Sequence, residues 1–180
     1  MGIIFRETKL EGSFVIEPEK FEDERGLFAR TFSDQEFEAH GIDPRIIECN
    51  ISFNKKKHTI RGMHFQSAPY AQAKLVRCTQ GAVYDVIIDL RPDSITYKQW
   101  VSEELTAENR LMLYVPEGFA HGFQTLEDDS EVLYQMSSSY APSAAGGVRW
   151  DDPVFAIHWP AAGDVILNER DRTYPDFLTH

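Results

Sequence analysis

Short runs rich in Val, Ile, Phe and Tyr recur along most of this chain, and Gly, Pro, Asp and Ser punctuate them. The chain therefore reads as many short strands with turn signals between them. The pattern predicts strands at Phe14–Ile16, ended by Pro18, and at Gly26–Phe32 after an acidic turn at Glu22–Arg25. Further strands follow at Ile46–Phe53, Thr59–Gln66, Lys74–Cys78, Val83–Leu90, Tyr97–Leu105, Leu111–Val115, Gly122–Leu126 and Glu131–Met136. One helix is expected in the first half, opened by Ser33 and Asp34 and closed by Gly41. The polar tail from Asn168 to His180 reads as a loop able to close over a site.

A chain of 180 residues suits one domain, residues 1–180, around one core. The expected fold class is all-β: two packed antiparallel sheets, as in a cupin-like jelly-roll barrel, with a few short helices. A sheet edge needs a partner or protection, which points to a homodimer. The net charge of -11 argues against a general nucleic-acid footprint. A phosphate would have to be held by a few local cations, for which Arg25, Arg61 and Arg170 are the candidates. No apolar run is long enough to cross a bilayer, and Met1–Lys9 lacks a secretory pattern, so the cytoplasm is the expected compartment, with no membrane partner. Cys49 and Cys78 lie in apolar strand contexts without Cys-x-x-Cys spacing and read as two buried free thiols.

Six histidines occur, at positions 40, 58, 64, 121, 158 and 180. His64 stands in Arg61-Gly62-Met63-His64-Phe65-Gln66, where strand alternation puts His64, Gln66 and Gly62 on one face. Arg61 joins that face only if Gly62 marks a bulge or bend. His121 ends Pro116-Glu117-Gly118-Phe119-Ala120-His121, a turn leading a histidine into a strand. This is similar to the second motif of cupin barrels, where the histidine is often a metal ligand. The earlier segment here offers only His64, flanked by Met63 and Phe65, and falls short of the three or four ligands a catalytic metal needs; no metal is expected. Two histidines in a barrel point instead to acid–base chemistry. A carboxylate behind one of them would orient it, and Asp85, Asp89 and Asp171 are the candidates.

Several of these segments together resemble the dTDP-4-dehydrorhamnose 3,5-epimerase family, in the same order and over nearly the whole chain. They are Asp23-Glu24-Arg25-Gly26, Arg61 to Gln66, Lys74 to Cys78, Gly81 to Asp89, Pro116 to Phe123 and Leu133-Tyr134. Trp150-Asp151-Asp152-Pro153, Ile157-His158-Trp159-Pro160 and Arg170-Asp171 complete the set. The resemblance implies a cofactor-free, dimeric, cupin-like enzyme acting on a nucleoside-diphosphate sugar. It implies His64 as the base at a carbon beside the C4 ketone, and Asp171 as its partner. It places Lys74 at the ketone oxygen with His121 nearby, and Tyr134 as the acid on the opposite face. Arg25 and Arg61 are implied as substrate contacts, Arg61 at the diphosphate, and Asn50 and Arg170 fall in matching motifs.

The departures from the family pattern fall where the nucleotide binds: Arg30 in place of a Glu, Glu48-Cys49-Asn50 in place of Gln-Asp-Asn, and Ala145 in place of a Glu. Arg30 and Glu48 would invert the donor–acceptor pattern as cytosine requires, so a CDP-linked sugar is an alternative to a dTDP-linked one, unless the two simply pair with each other. Inversion at C3, at C5 or at both stays open. A sugar-nucleotide 3,4-ketoisomerase, a metal-dependent cupin oxygenase and a non-catalytic binding module are the rival classes.

Overall fold

The computed structural model describes residues 2–177. Thirteen strands and two short helices follow in chain order. They are β1 (Ile3–Glu7), β2 (Phe14–Pro18), β3 (Lys20–Asp23), β4 (Gly26–Ala29), α1 (Asp34–Ala39), β5 (Glu48–Asn54), β6 (Ile60–Gln66), β7 (Lys74–Gln80), β8 (Ala82–Asp89), β9 (Trp100–Thr106), β10 (Met112–Val115), β11 (Phe119–Thr125), β12 (Ser130–Met136), β13 (Ala145–Gly147) and α2 (Glu169–Arg172). A six-stranded sheet in the order β1-β2-β10-β7-β12-β5 and a five-stranded sheet in the order β13-β6-β11-β8-β9 form the body, and β3–β4 is a separate hairpin. Every strand pairing is antiparallel, and the all-β architecture expected from the rhythm of the sequence is present.

Alternation along the strands builds the interior. Val76 and Cys78 of β7, Val83 and Ile87 of β8, Phe119 and Phe123 of β11 and Val132 of β12 meet in one apolar cluster between the sheets. The outward residues are covered separately. Ile16, Leu75 and Met112 pack under Phe37 of α1, while Met63, Val86, Ile88 and Ala120 pack under Phe155 and Trp159 from the C-terminal third. Strands β8 and β11 are therefore buried on both faces, and the polar residues they carry, among them Asp85, Asp89, His121 and Gln124, are buried with them.

The differences from the predicted elements have local causes. Gly26–Phe32 is cut to four residues because Phe32 turns inward against Phe37. The acidic segment read as a turn contributes Glu22 and Asp23 to β3. Cys49 is exposed rather than buried, because β5 is an edge strand with one face uncovered. The tail read as a loop contains α2, N-capped by Asn168, whose side chain accepts from the Asp171 N–H at 2.7 Å. Its last residues, Leu178, Thr179 and His180, lie outside the described residues.

Gly62 is the bend that brings Arg61 to the face of His64. Its φ is +128°, and the register between β6 and β11 shifts between His121 and Phe123. A Cβ at Gly62 would stand 2.6 Å from the Gly122 Cα and 2.9 Å from the His121 carbonyl oxygen. Gly62→Ala is therefore expected to cost about 2–4 kcal/mol, from positive-φ strain and overpacking together, read as a lower urea midpoint.

Candidate active site

One end of the space between the sheets opens as a cavity of about 300 Å³. His64 and His121 are register partners on β6 and β11, so the five-stranded sheet supplies both imidazoles. The facing sheet supplies Lys74 from β7 and Tyr134 from β12, with Asn50 of β5 opposite Tyr134. Arg61 and Arg170 complete the cationic part of the wall.

Asp171 stands behind His64 rather than in the cavity. Its side chain is 1 % exposed. Its Oδ1 accepts from His64 Nε2 at 2.7 Å, and its Oδ2 accepts from the Gly62 N–H at 3.1 Å. Burial alone would raise this carboxyl. The hydrogen bond and charge of His64, together with the Gly62 N–H, overcome that and hold it below its ordinary value. With Nε2 committed to Asp171, Nδ1 is the nitrogen left to act as a base.

Of the other two candidate carboxylates, Asp85 holds His121, with Nε2 at 3.0 Å from both oxygens. Asp89 is structural. Its oxygens accept from Arg91, Ser94 and Thr96, and these donors outweigh burial to bring it down to about 2.

Lys74 is buried, and its Nζ donates to the His64 carbonyl oxygen at 3.3 Å. Desolvation pulls its ammonium down to about 8, against an upward pull from Asp85. The Tyr134 hydroxyl is raised above its ordinary value, first by burial and then by the Asp85 charge, and so keeps its proton. Its ring meets the His121 ring edge-on at 5.9 Å. Arg61 is aimed by a 2.6 Å hydrogen bond from its Nε to the buried Asn54.

Three expected contacts lie elsewhere. Arg25, 85 % exposed on the β3–β4 hairpin, pairs with Asp23 and lines none of this cavity. Arg30 pairs with Glu36 of α1 at 3.2 Å, and Glu48 accepts from the Tyr140 N–H at 3.3 Å. Arg30 and Glu48 therefore do not pair with each other, and neither forms the cavity wall. Residues that sequence reasoning missed include Ser52, Gln72 and Tyr140. Alternation from Asn50 places Ser52 on its face, but Gln72 and Tyr140 sit on loops with no periodic signal. Gln66 ties those loops together, donating to the Tyr70 and Ser139 carbonyls and accepting from the Ala141 N–H. Among the described residues no three His, Cys, Asp or Glu side chains group as metal ligands would.

The family model for dTDP-4-dehydrorhamnose 3,5-epimerase matches residues 7–178. The chain belongs to that family. A dTDP-4-dehydrorhamnose 3,5-epimerase of Sinorhizobium fredii is 44% identical over 161 residues, covering 89% of this chain and 83% of its own. The crystal structure of the Bacillus anthracis dTDP-4-dehydrorhamnose 3,5-epimerase, with TDP and PPi bound, superposes with a TM-score of 0.94 at 40% identity, covering 98% of this chain and 100% of that one. A Legionella pneumophila dTDP-6-deoxy-D-glucose-3,5-epimerase in complex with dTDP-4-keto-L-rhamnose gives 0.88 at 34% identity, covering 94% and 90%. The predicted membership thus holds across most of the chain.

The burial of Lys74 has a direct spectroscopic consequence. In protein labelled at lysine Cε, Lys74 is expected to titrate near pH 8, apart from surface lysines near 10.5. A Lys74 midpoint among the surface group would contradict a dry ammonium.

Proposed function

We propose that this protein is an isomerase, a 3,5-epimerase of a dTDP-linked 4-keto-6-deoxyhexose of the dTDP-4-dehydro-6-deoxyglucose type. The observation that carries this reading is the placement of a carboxylate-backed imidazole and a protonated phenol on facing walls, with a buried ammonium beside them. A hydrogen next to a ketone is acidic only if the enolate oxygen is stabilised as charge develops there. His64 Nδ1 takes the proton from C3 or C5, and the bonding pair moves into the ring and onto the ketone oxygen. Lys74, assisted by His121, faces that oxygen. The enolate collapses by taking the Tyr134 proton on its other face, which inverts the carbon. Solvent restores the His64 and Tyr134 protonation states, and the C4 ketone is regenerated. Every step is assigned to side chains, and the mechanism calls on no cofactor.

Arg61 and Arg170 are the cations that would meet the diphosphate, with Asn50 alongside. The CDP alternative is not favoured: it required Arg30 and Glu48 at the nucleotide, and the chain engages Arg30 with Glu36 and Glu48 with the Tyr140 backbone. A dTDP sugar is also what the matched relatives are named for.

The reading includes a single domain, the cytoplasm as its compartment, and a homodimer. Ile51 and Phe53 on the edge strand β5 are 65% and 44% exposed, and Phe21 and Phe28 on the β3–β4 hairpin are 53% and 65% exposed. A second copy would cover such surfaces. Arg25, at the turn of that hairpin, would then reach substrate only in the cavity of the second copy. Among the described residues no helix is long and apolar enough to cross a membrane.

Substrate incubated with the enzyme in D₂O and followed by NMR tests the reading. Deuterium is expected at C3 and at C5, with inverted product. His64→Asn is expected to lose both by a factor of about 10³ or more. Tyr134→Phe should still exchange the hydrogens while forming little inverted product. Exchange at neither carbon by the native enzyme would remove the proposal. Light scattering on a sizing column is expected to give twice the chain mass, and a monomer would overturn the dimer.

A further inference from the structure

Asp85 is a carboxylate in a place where apolar side chains are the rule. Along β8 it lies between Val83 and Ile87, both in the interior cluster, and it is itself 0% exposed. Its side chain has one hydrogen-bonding partner among the described residues, the His121 ring at 3.0 Å. A buried charge with a single partner persists only where nearby cations offset its desolvation. Lys74, the buried ammonium of the same cavity, is such a cation.

Building on the epimerase reading above, we propose that Asp85 is a positioning residue for the reaction, fixing the His121 ring through Nε2 and supplying the negative charge against which Lys74 is held at the ketone oxygen. The charged and titratable groups around Lys74 decide this. His64 and Arg61 come from β6, His121 from β11, Tyr134 from β12 and Arg170 from α2. Four of these are cations or potential cations from imidazole or guanidinium groups besides Lys74 itself, and among the described residues the cavity wall contains no carboxylate. Of the two carboxylates that touch its histidines, Asp171 is taken up by His64 and Gly62. Asp85 is left as the counter-charge to Lys74, and burial drives the ammonium toward its neutral form in opposition to it. The His121 contact sets a tautomer as well: Nε2 carries the proton that Asp85 accepts.

Asp85→Asn tests this with little change in volume. The expected result is a kcat lower by about 10-fold to 10³-fold at neutral pH, with KM changed little. The alkaline limb of the kcat profile should move down by about one pH unit or more, because Lys74 loses its counter-charge. The Lys74 NMR midpoint should move the same way without substrate. A variant that is merely less stable, with limb and midpoint both unmoved, would overturn the proposal. If wild-type enzyme fails to epimerise, the underlying functional reading fails, and the substrate-free midpoint still judges Asp85. If Asp85→Asn does not fold, the ¹⁵N spectrum of wild-type His121 decides: a proton on Nε2 is expected, and a bare Nε2 would sink the idea.

Discussion

The Asp171 carboxylate joins two distant parts of the chain at the point where the chemistry happens. It arrives on a single helical turn near the C-terminus, fixed by the Asn168 cap, and accepts from both His64 and the Gly62 backbone on β6. Both contacts bear on one short segment. The Gly62 bond holds the bend that turns Arg61 toward the cavity, and the His64 bond orients the ring and frees Nδ1. Removing the carboxylate would leave a buried N–H without its acceptor and an imidazole without its tautomer.

The barrel interior is divided by function. Its apolar part, with Val76, Val83, Phe123 and Val132, is an ordinary dry core. Its open end carries ionisable groups that such a core would normally exclude, and they persist because they are paired. His64 faces Asp171, His121 faces Asp85, and Arg61 is held by Asn54. The same dryness that makes these groups costly is what perturbs them. Lys74 is brought down to about 8, while Tyr134 is pushed up and keeps its proton. An ammonium and a phenol tuned in this way suit enolate chemistry, where one stabilises an oxyanion and the other returns a proton.

Much of the fold was legible in the sequence because strand alternation writes burial directly into residue order. The cap at Ser33 and the closing Gly41 gave α1 for the same local reason. Short pieces defined by tertiary contact were not legible. Strand β13 reads Ala145-Gly146-Gly147 and has no strand signal of its own; it exists because β6 offers an edge to pair with. In the site, His64 and His121 stood out by motif, but spacing could not choose among Asp85, Asp89 and Asp171. That choice depends on which element, a strand for Asp85 and a helix for Asp171, faces which histidine. Sequence placed Arg30 and Glu48 only by the family pattern, and could not tell that Glu36 and the Tyr140 N–H are their partners within the chain. Arg25 is carried by the β3–β4 hairpin, none of whose residues lines this cavity.

The central claim is that the buried Asp171 makes His64 a base. The most direct measurement is the rate of solvent-deuterium washout from substrate C3 by Asp171→Asn, at saturating substrate, with circular dichroism confirming that the variant is folded. The account predicts a rate lower by about 10²–10⁴-fold, since an amide can neither enforce the tautomer nor stabilise the imidazolium. Washout at the wild-type rate by a folded Asp171→Asn protein would contradict it.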